Sequence, residues 1–254
     1  MNKGYCMEVP SVVKTRQFVD HLIYTLFPIK VDCKTEETEV EQALQKTASL
    51  LTELLSSIEK ELPDTPHNLT EKFMDSLPGT YNMLMDDAVA IARFDPASLC
   101  VEEVLLAYPG FHCIAVYRLA HILYDLEVIL IPRIMMEYIH GQTGIDIHAG
   151  AKIDSPFFID HGTGIVIGET TVIGKNVKIY QGVTLGALTV DKDMAKTKRH
   201  PSIEDNVIIY AGSTILGGDT VIGHDTVVGG NTWITESILP HSVVYRQHRV
   251  IVKD

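Results

Sequence analysis

The stretch Ile159-Asp-His-Gly-Thr-Gly-Ile-Val-Ile-Gly-Glu-Thr-Thr-Val-Ile-Gly-Lys-Asn-Val-Lys-Ile179 decides the fold of this chain. An aliphatic residue returns every six positions, and glycine, threonine and aspartate fill the spaces between. Working outward, Ile147, Ile153, Ile159 and Ile165 keep this period, and after a two-residue shift Ile167, Ile173, Ile179 and Leu185 resume it. A third series runs through Ile203, Ile209, Ile215, Val221, Val227 and Trp233, with Leu216, Ile222 and Val228 beside it, each followed by glycine. Neither the helical period of 3.6 nor the strand period of 2 yields a sustained six. A hexad repeat makes one short strand and one turn per unit, three units closing a triangular coil of about 18 residues. One residue per hexad is expected to point inward, and coils stack about 4.8 Å apart. Residues 145 to 240 have room for about five coils. A sandwich of alternating strands would not hold one phase over six consecutive hexads.

Upstream the texture is helical. Glu36 to Glu61 places Val40, Ala43, Leu44, Leu50, Leu51 and Leu54 at three- and four-residue spacing. Further helices are expected over Asn82–Phe94, Val101–Leu106, Phe111–Tyr124 and Ile131–Gly141, punctuated by Pro78-Gly79 and Pro109-Gly110. The expected organisation is therefore α+β: a helical domain over 1–140, then a parallel β-helix over 141–254. Residues 1–90 carry no pattern that points to chemistry and read as an assembly domain. The segment Ala187 to Pro201 breaks the repeat and is expected to loop out, the usual place for function on such scaffolds.

Composition narrows the function classes. The net charge of −12 argues against nucleic acid or an anionic membrane as partner. The acidity belongs to residues 1–140, with 11 Lys/Arg against 21 Asp/Glu; residues 141–254 carry 10 against 12. Within the second half Lys192, Lys196, Lys198 and Arg199 cluster in the predicted loop, a field suited to a phosphate-bearing ligand. No apolar run reaches the ~20 residues that span a bilayer, and Met1 to Pro10 reads as neither signal nor transit peptide. Cys6, Cys33, Cys100 and Cys113 lack a paired spacing and read as reduced thiols of a cytoplasmic protein.

Few ionisable side chains interrupt the repeat, and these are the candidates for chemistry. His161 ends a hexad beside Asp160, and Asp146 lies 15 residues earlier, on the neighbouring coil near the same edge. A carboxylate-oriented imidazole is the simplest general base near neutral pH. Arg199-His200 closes the loop; by the 18-residue count His200 and His161 fall on different levels of one chain, and a loop reaching a neighbour in a trimer would join them. Bland readings stand beside these: a solvated surface histidine, a turn at Arg199-His200-Pro201, and a helix start at Asp95-Pro96-Ala97 with Asp95 as N-cap.

Asp146-Ile-His-Ala-Gly-Ala-Lys-Ile153, Ile159-Asp-His-Gly-Thr-Gly-Ile-Val-Ile-Gly-Glu-Thr170, Gln181-Gly-Val-Thr-Leu-Gly186 and Lys198-Arg-His-Pro201, with Phe94-Asp-Pro-Ala97 upstream, resemble the serine acetyltransferase family of hexapeptide-repeat acyltransferases. The resemblance covers roughly residues 90–235. It implies a left-handed β-helix that moves an acetyl group from acetyl-CoA to the hydroxyl of L-serine, the first step of cysteine biosynthesis, without a metal. It implies His161 as general base, Asp146 as its orienting partner, and Asp95, Pro96, Asp160, Arg199 and His200 around serine, with His200 also supporting the reacting hydroxyl and Glu169 nearby. Gly186, Ala187, Ala211 and Lys198 are the implied contacts for coenzyme A. It further implies homotrimers with sites between subunits, paired trimers as hexamers, and L-cysteine as feedback inhibitor in the serine site. This chain departs from the family at Leu185-Gly186-Ala187-Leu188-Thr189, where Leu-Gly-Gly-Thr-Gly-Lys is usual, in its longer loop, and at Val243-Val-Tyr-Arg-Gln-His248. It stops at Val252-Lys253-Asp254, without the isoleucine-ended tail that docks into cysteine synthase, so no complex through the tail is expected.

Three other readings remain open on the residues alone. One is an acyltransferase for another small hydroxylated acceptor such as a sugar. Another is a zinc lyase that gathers His148, His161 and His200. The third is a non-catalytic assembly module.

Overall fold

The computed structural model describes residues 7–28, 37–189 and 197–246. The chain divides into two compact units, one running to Thr143 with His148–Gly150, the other formed by Gly144–Ile147 with the residues from Ala151 onward. Among the described residues no helix is long and apolar enough to cross a membrane.

The first unit holds six α-helices: α1 (Val12–Leu26), α2 (Glu37–Ser56), α3 (Pro66–Phe94), α4 (Val101–Ala107), α5 (Pro109–Asp125) and α6 (Ile131–Thr143). Ser11 and Thr65 cap α1 and α3 by accepting from Lys14 N and Asn68 N, and prolines occupy the first turns of α3 and α5. The core is built around fully buried Phe18, Leu22, Leu51, Phe73, Leu84, Phe111 and Tyr117. A bidentate pair ties α5 to α3, Arg118 Nε and Nη2 donating to Asp87 Oδ2 and Oδ1 at 2.6 and 3.0 Å, with both side chains buried.

One expectation fails here. Pro78-Gly79 does not end a helix; α3 runs through it for 29 residues. A proline inside a helix costs about 3 kcal/mol, but Leu77, Thr80 and Leu84 are all buried, and each buried large aliphatic side chain contributes about 1.5–3 kcal/mol. Packing on both sides outweighs the local break. Pro109-Gly110 does separate two helices, because Tyr108 adopts extended backbone before Pro109. Cys100 is exposed and Cys113 buried, and neither is in a disulfide among the described residues; Cys6 and Cys33 lie outside the described residues.

The second unit is a triangular solenoid with three parallel sheets of five, four and five strands. Sheet A stacks β1 (Asp146–Ile147), β4 (Val166–Ile167), β7 (Thr184–Gly186), β10 (Thr214–Leu216) and β13 (Trp233–Ile234). Sheet B stacks β2 (Lys152–Ile153), β5 (Val172–Ile173), β8 (Ser202–Ile203) and β11 (Val221–Ile222). Sheet C stacks β3 (Phe157–Asp160), β6 (Val177–Tyr180), β9 (Ile208–Ile209), β12 (Val227–Val228) and β14 (Val243–Val244). With about five coils, this is the left-handed parallel β-helix architecture.

The inward isoleucines of the first two series are buried, as the hexad reading requires. The third series is corrected beyond Ile215. Ile222, Val228 and Ile234 are the buried residues there, and Trp233 is 71% exposed. The corner Leu216–Thr220 takes one residue more than a hexad allows, so the inward phase moves on by one.

Candidate active site

The two-residue shift seen in the sequence is a bulge. Asp146 pairs with Val166, and Ile159 with Ile179, but the corner from Asp160 to Gly164 holds two more residues than its counterpart from Tyr180 to Gly182. His161 sits on that bulge in the left-handed region at φ 57°, followed by Gly162 at φ 83°. Gly162 is required there twice over. A Cβ on it would lie 2.4 Å from Ile145 Cδ1, and its φ suits glycine. The bulge turns the imidazole outward, 68% exposed, with Nδ1 3.4 Å from Asp160 Oδ1. Asp146 begins the adjacent strand of sheet A, its N–H donating to Ile165 O at 2.9 Å. No ion pair joins Asp146 to His161 among the described residues; the carboxylate facing the ring is that of Asp160.

At the other end of β4 lies a second cluster. His200 is 8% exposed and packs on Gly168, where a Cβ would come within 2.1 Å of its ring. Its Nδ1 accepts from Thr170 N at 3.1 Å and lies 2.9 Å from Thr170 Oγ1. That hydroxyl itself accepts the N–H groups of Arg199 and His200 at 2.9 and 3.0 Å. With both lone pairs engaged, the Thr170 hydroxyl donates its hydrogen bond to Nδ1, which acts as the acceptor. The neutral ring therefore carries its own proton on Nε2. Arg199 Nη2 pairs with Glu169 Oε2, both side chains largely covered. Glu169 thus holds the guanidinium in place.

Lys198 is spent locally. Its ammonium donates to the carbonyls of Thr170, His200 and Pro201 at 2.6, 2.5 and 3.1 Å, and burial pushes its pKa below the ordinary value of 10.5. Three donors meet three acceptors, so the lysine buttresses the Arg199-His200 turn. Lys192, Lys196, Asp191 and Asp193 lie outside the described residues. Gly186 ends β7 beside Leu216, Ala187 follows it, and Ala211 sits at the corner between β9 and β10, where its carbonyl accepts Asn231 N–H at 2.9 Å.

In the helical unit, Asp95 starts no helix. It closes α3, its N–H donating to Ile91 O at 2.9 Å, and Pro96 lies in the turn that follows. The Asp95 carboxylate accepts from Ala97 N at 2.8 Å and from the Tyr108 hydroxyl at 2.7 Å. The second bond, more than burial, raises the Tyr108 pKa above its usual 10. His148 belongs to this unit, its Nδ1 accepting from Gly150 N at 3.0 Å. His161 and His200 stand at opposite ends of β4, so the three histidines of the zinc reading do not converge within the chain. Among the described residues, the group with metal-binding spacing is His224, Asp225 and His241.

No protein-family profile matches the chain. A plasmid-encoded serine acetyltransferase of Synechococcus elongatus is 47% identical over 175 residues, which is 67% of this chain and 54% of that relative. The chain thus matches about half the length of that curated relative. Serine acetyltransferase 1 of Entamoeba histolytica, solved with L-cysteine, superposes with a TM-score of 0.81 at 32% identity, over 97% of this chain and 90% of that one. The chain belongs to the serine acetyltransferase family. A serine acetyltransferase solved with CoA superposes at a TM-score of 0.62 and 27% identity, over 92% of this chain and 96% of the other. Thr170, Tyr108 and the buttressing by Lys198 were not foreseen as parts of the family's site; only Thr170 carried a signal, as the last residue of the quoted Ile159–Thr170 run.

Proposed function

We propose that this chain transfers the acetyl group of acetyl-CoA to the hydroxyl of L-serine, giving O-acetyl-L-serine and CoA for cysteine biosynthesis. The observation that carries the reading is the bulge that lifts His161 out of the solenoid at a corner bearing two carboxylates. The serine hydroxyl attacks the thioester carbonyl as His161 takes its proton. The tetrahedral intermediate then expels CoA thiolate, which recovers that proton from the imidazolium, so the base is restored each cycle. Asp146, on the adjacent strand at the same corner, is the partner that orients the ring in the loaded site, once the serine ammonium group takes up Asp160, the carboxylate that faces the ring in the free chain.

Arg199, held by Glu169, pairs with the serine carboxylate. His200 presents Nε2–H as a donor, which suits support of the reacting oxygen and leaves the base role to His161. Asp95, aimed by Tyr108, is the second carboxylate for the ammonium group, with Pro96 beside it. Since His161 and His200 flank β4 within one chain, the complete site draws its halves from neighbouring subunits of a homotrimer; the helical unit pairs trimers into hexamers. Gly186, Ala187 and Ala211 line the coenzyme A path. L-cysteine, bound by the Entamoeba relative, occupies the serine site here as feedback inhibitor. The compartment is the cytoplasm, and neither nucleic acid nor a membrane is a partner; residues 247–254, on which the expectation about cysteine synthase falls, lie outside the described residues.

The test is thiol release from acetyl-CoA with L-serine, L-homoserine, L-threonine, galactose or no acceptor. Release favouring L-serine, competitively suppressed by L-cysteine, is expected. Turnover on galactose in place of serine would overturn the acceptor.

A further inference from the structure

We infer that Trp233 is the stacking platform for the adenine of acetyl-CoA, at the far end of a column of outward side chains that begins at Asp146. The inference rests on the acetyl-CoA reading above. In sheet A, Asp146 pairs with Val166, Val166 with Thr184, Thr184 with Thr214, and Thr214 with Trp233. Their chain neighbours Ile147, Ile167, Leu185, Ile215 and Ile234 are buried. Strand side chains alternate between faces, so the five partners form one column on the outer surface.

Four steps of about 4.8 Å place Trp233 roughly 19 Å from Asp146, the reach of an extended pantetheine diphosphate arm from thioester to adenine. The direction is set by topology. β1 and β13 are the two edge strands of sheet A, so a ligand with its thioester at the His161 corner and lying along this sheet passes β4, β7 and β10 and ends at β13. The track between is low, made of Val166, Thr184 and Thr214 with Gly186 alongside. Trp233 then stands up from it, 71% exposed. An indole offers any base a flat partner without a hydrogen-bond code, which fits a carrier's invariant nucleotide. The phase slip at Leu216–Thr220 is what turns this residue outward.

Trp233 is the single tryptophan of the chain, so intrinsic fluorescence reports on it alone. CoA is expected to quench the emission in step with binding measured by calorimetry, whereas acetyl-pantetheine, which lacks the nucleotide, donates acetyl groups without quenching. Trp233→Ala is expected to raise KM for acetyl-CoA about tenfold, equivalent to about 1.4 kcal/mol, with KM for acetyl-pantetheine and the oligomeric mass unchanged. Trp233→Phe should recover most of the loss. Turnover of acetyl-CoA on serine with unquenched Trp233 overturns the platform alone. So does an alanine variant that weakens both donors equally or changes the oligomeric mass. Quenching by CoA without serine turnover upholds the platform and overturns only the acceptor.

Discussion

At one end of β4 stands His161, lifted into solvent on a two-residue bulge with a left-handed backbone. At the other end lies His200, packed on Gly168 with Nδ1 already occupied by Thr170. The residue type is the same and the strand is shared, yet the scaffold leaves one ring able to take a proton and holds the other as a donor. What an imidazole can do is decided by which of its nitrogens the surroundings have claimed. In the solenoid this is set by corner length and by a single threonine hydroxyl.

The comparison can be broken at either end. The largest effect is expected for His161→Ala, with kcat/KM for serine falling about 10²–10⁴-fold while CoA binding persists; a change under threefold would remove His161 as base. Gly162→Ala keeps the imidazole but forbids the bulge, since its Cβ would meet Ile145. It is expected to cost about 10²-fold in kcat, because small misplacements of reacting groups carry penalties of that size, and to lower Tm.

At the quieter end, Thr170→Val removes the hydroxyl donor to Nδ1, leaving the backbone N–H of residue 170 there, and strands the N–H groups of Arg199 and His200, with a stability loss of about 1–3 kcal/mol in denaturant melts. The same variant should raise KM for serine more than it lowers kcat. If kcat alone collapsed, His200 would be acting as a base after all. Lys198→Met should change least. It takes away three carbonyl caps and is expected to cost about 1 kcal/mol of stability, leaving KM for acetyl-CoA within twofold. A tenfold rise in that KM would return Lys198 to the coenzyme.

Most of the solenoid was legible because its inward isoleucines repeat without regard to what the corners hold. Even the bulge left a trace, in the step from Ile165 to Ile167. The slip after Ile215 was not legible: Val221 and Ile222 are both aliphatic, and only cross-strand pairing says which one faces in. The continuity of α3 through Pro78 was hidden for a related reason, as local propensity carries no record of the tertiary burial that overrides it. In the site, His161 and Arg199-His200 stood out by type. Thr170 did not, because threonine is also an ordinary corner residue in this repeat, and its role depends on two N–H groups that arrive from about 30 residues downstream. The hexad count did place His161 and His200 apart. It described the gap as one of height, and the folded chain adds a step around the triangle: His161 precedes β4, whereas His200 precedes β8, one coil further along and at a different corner.

Thr184 and Thr214 are direct neighbours in sheet A although the chain between them passes through residues 187–201, the segment that breaks the hexad repeat. The stack is therefore indexed by pairing and not by distance along the chain. Lengthening or shortening the segment after Gly186 leaves every later coil in the same place, as a splice leaves the reading frame downstream intact. Variation in this family can accumulate there at no expense to the scaffold, and a designer could graft a foreign hairpin at the same seam without recounting a single strand.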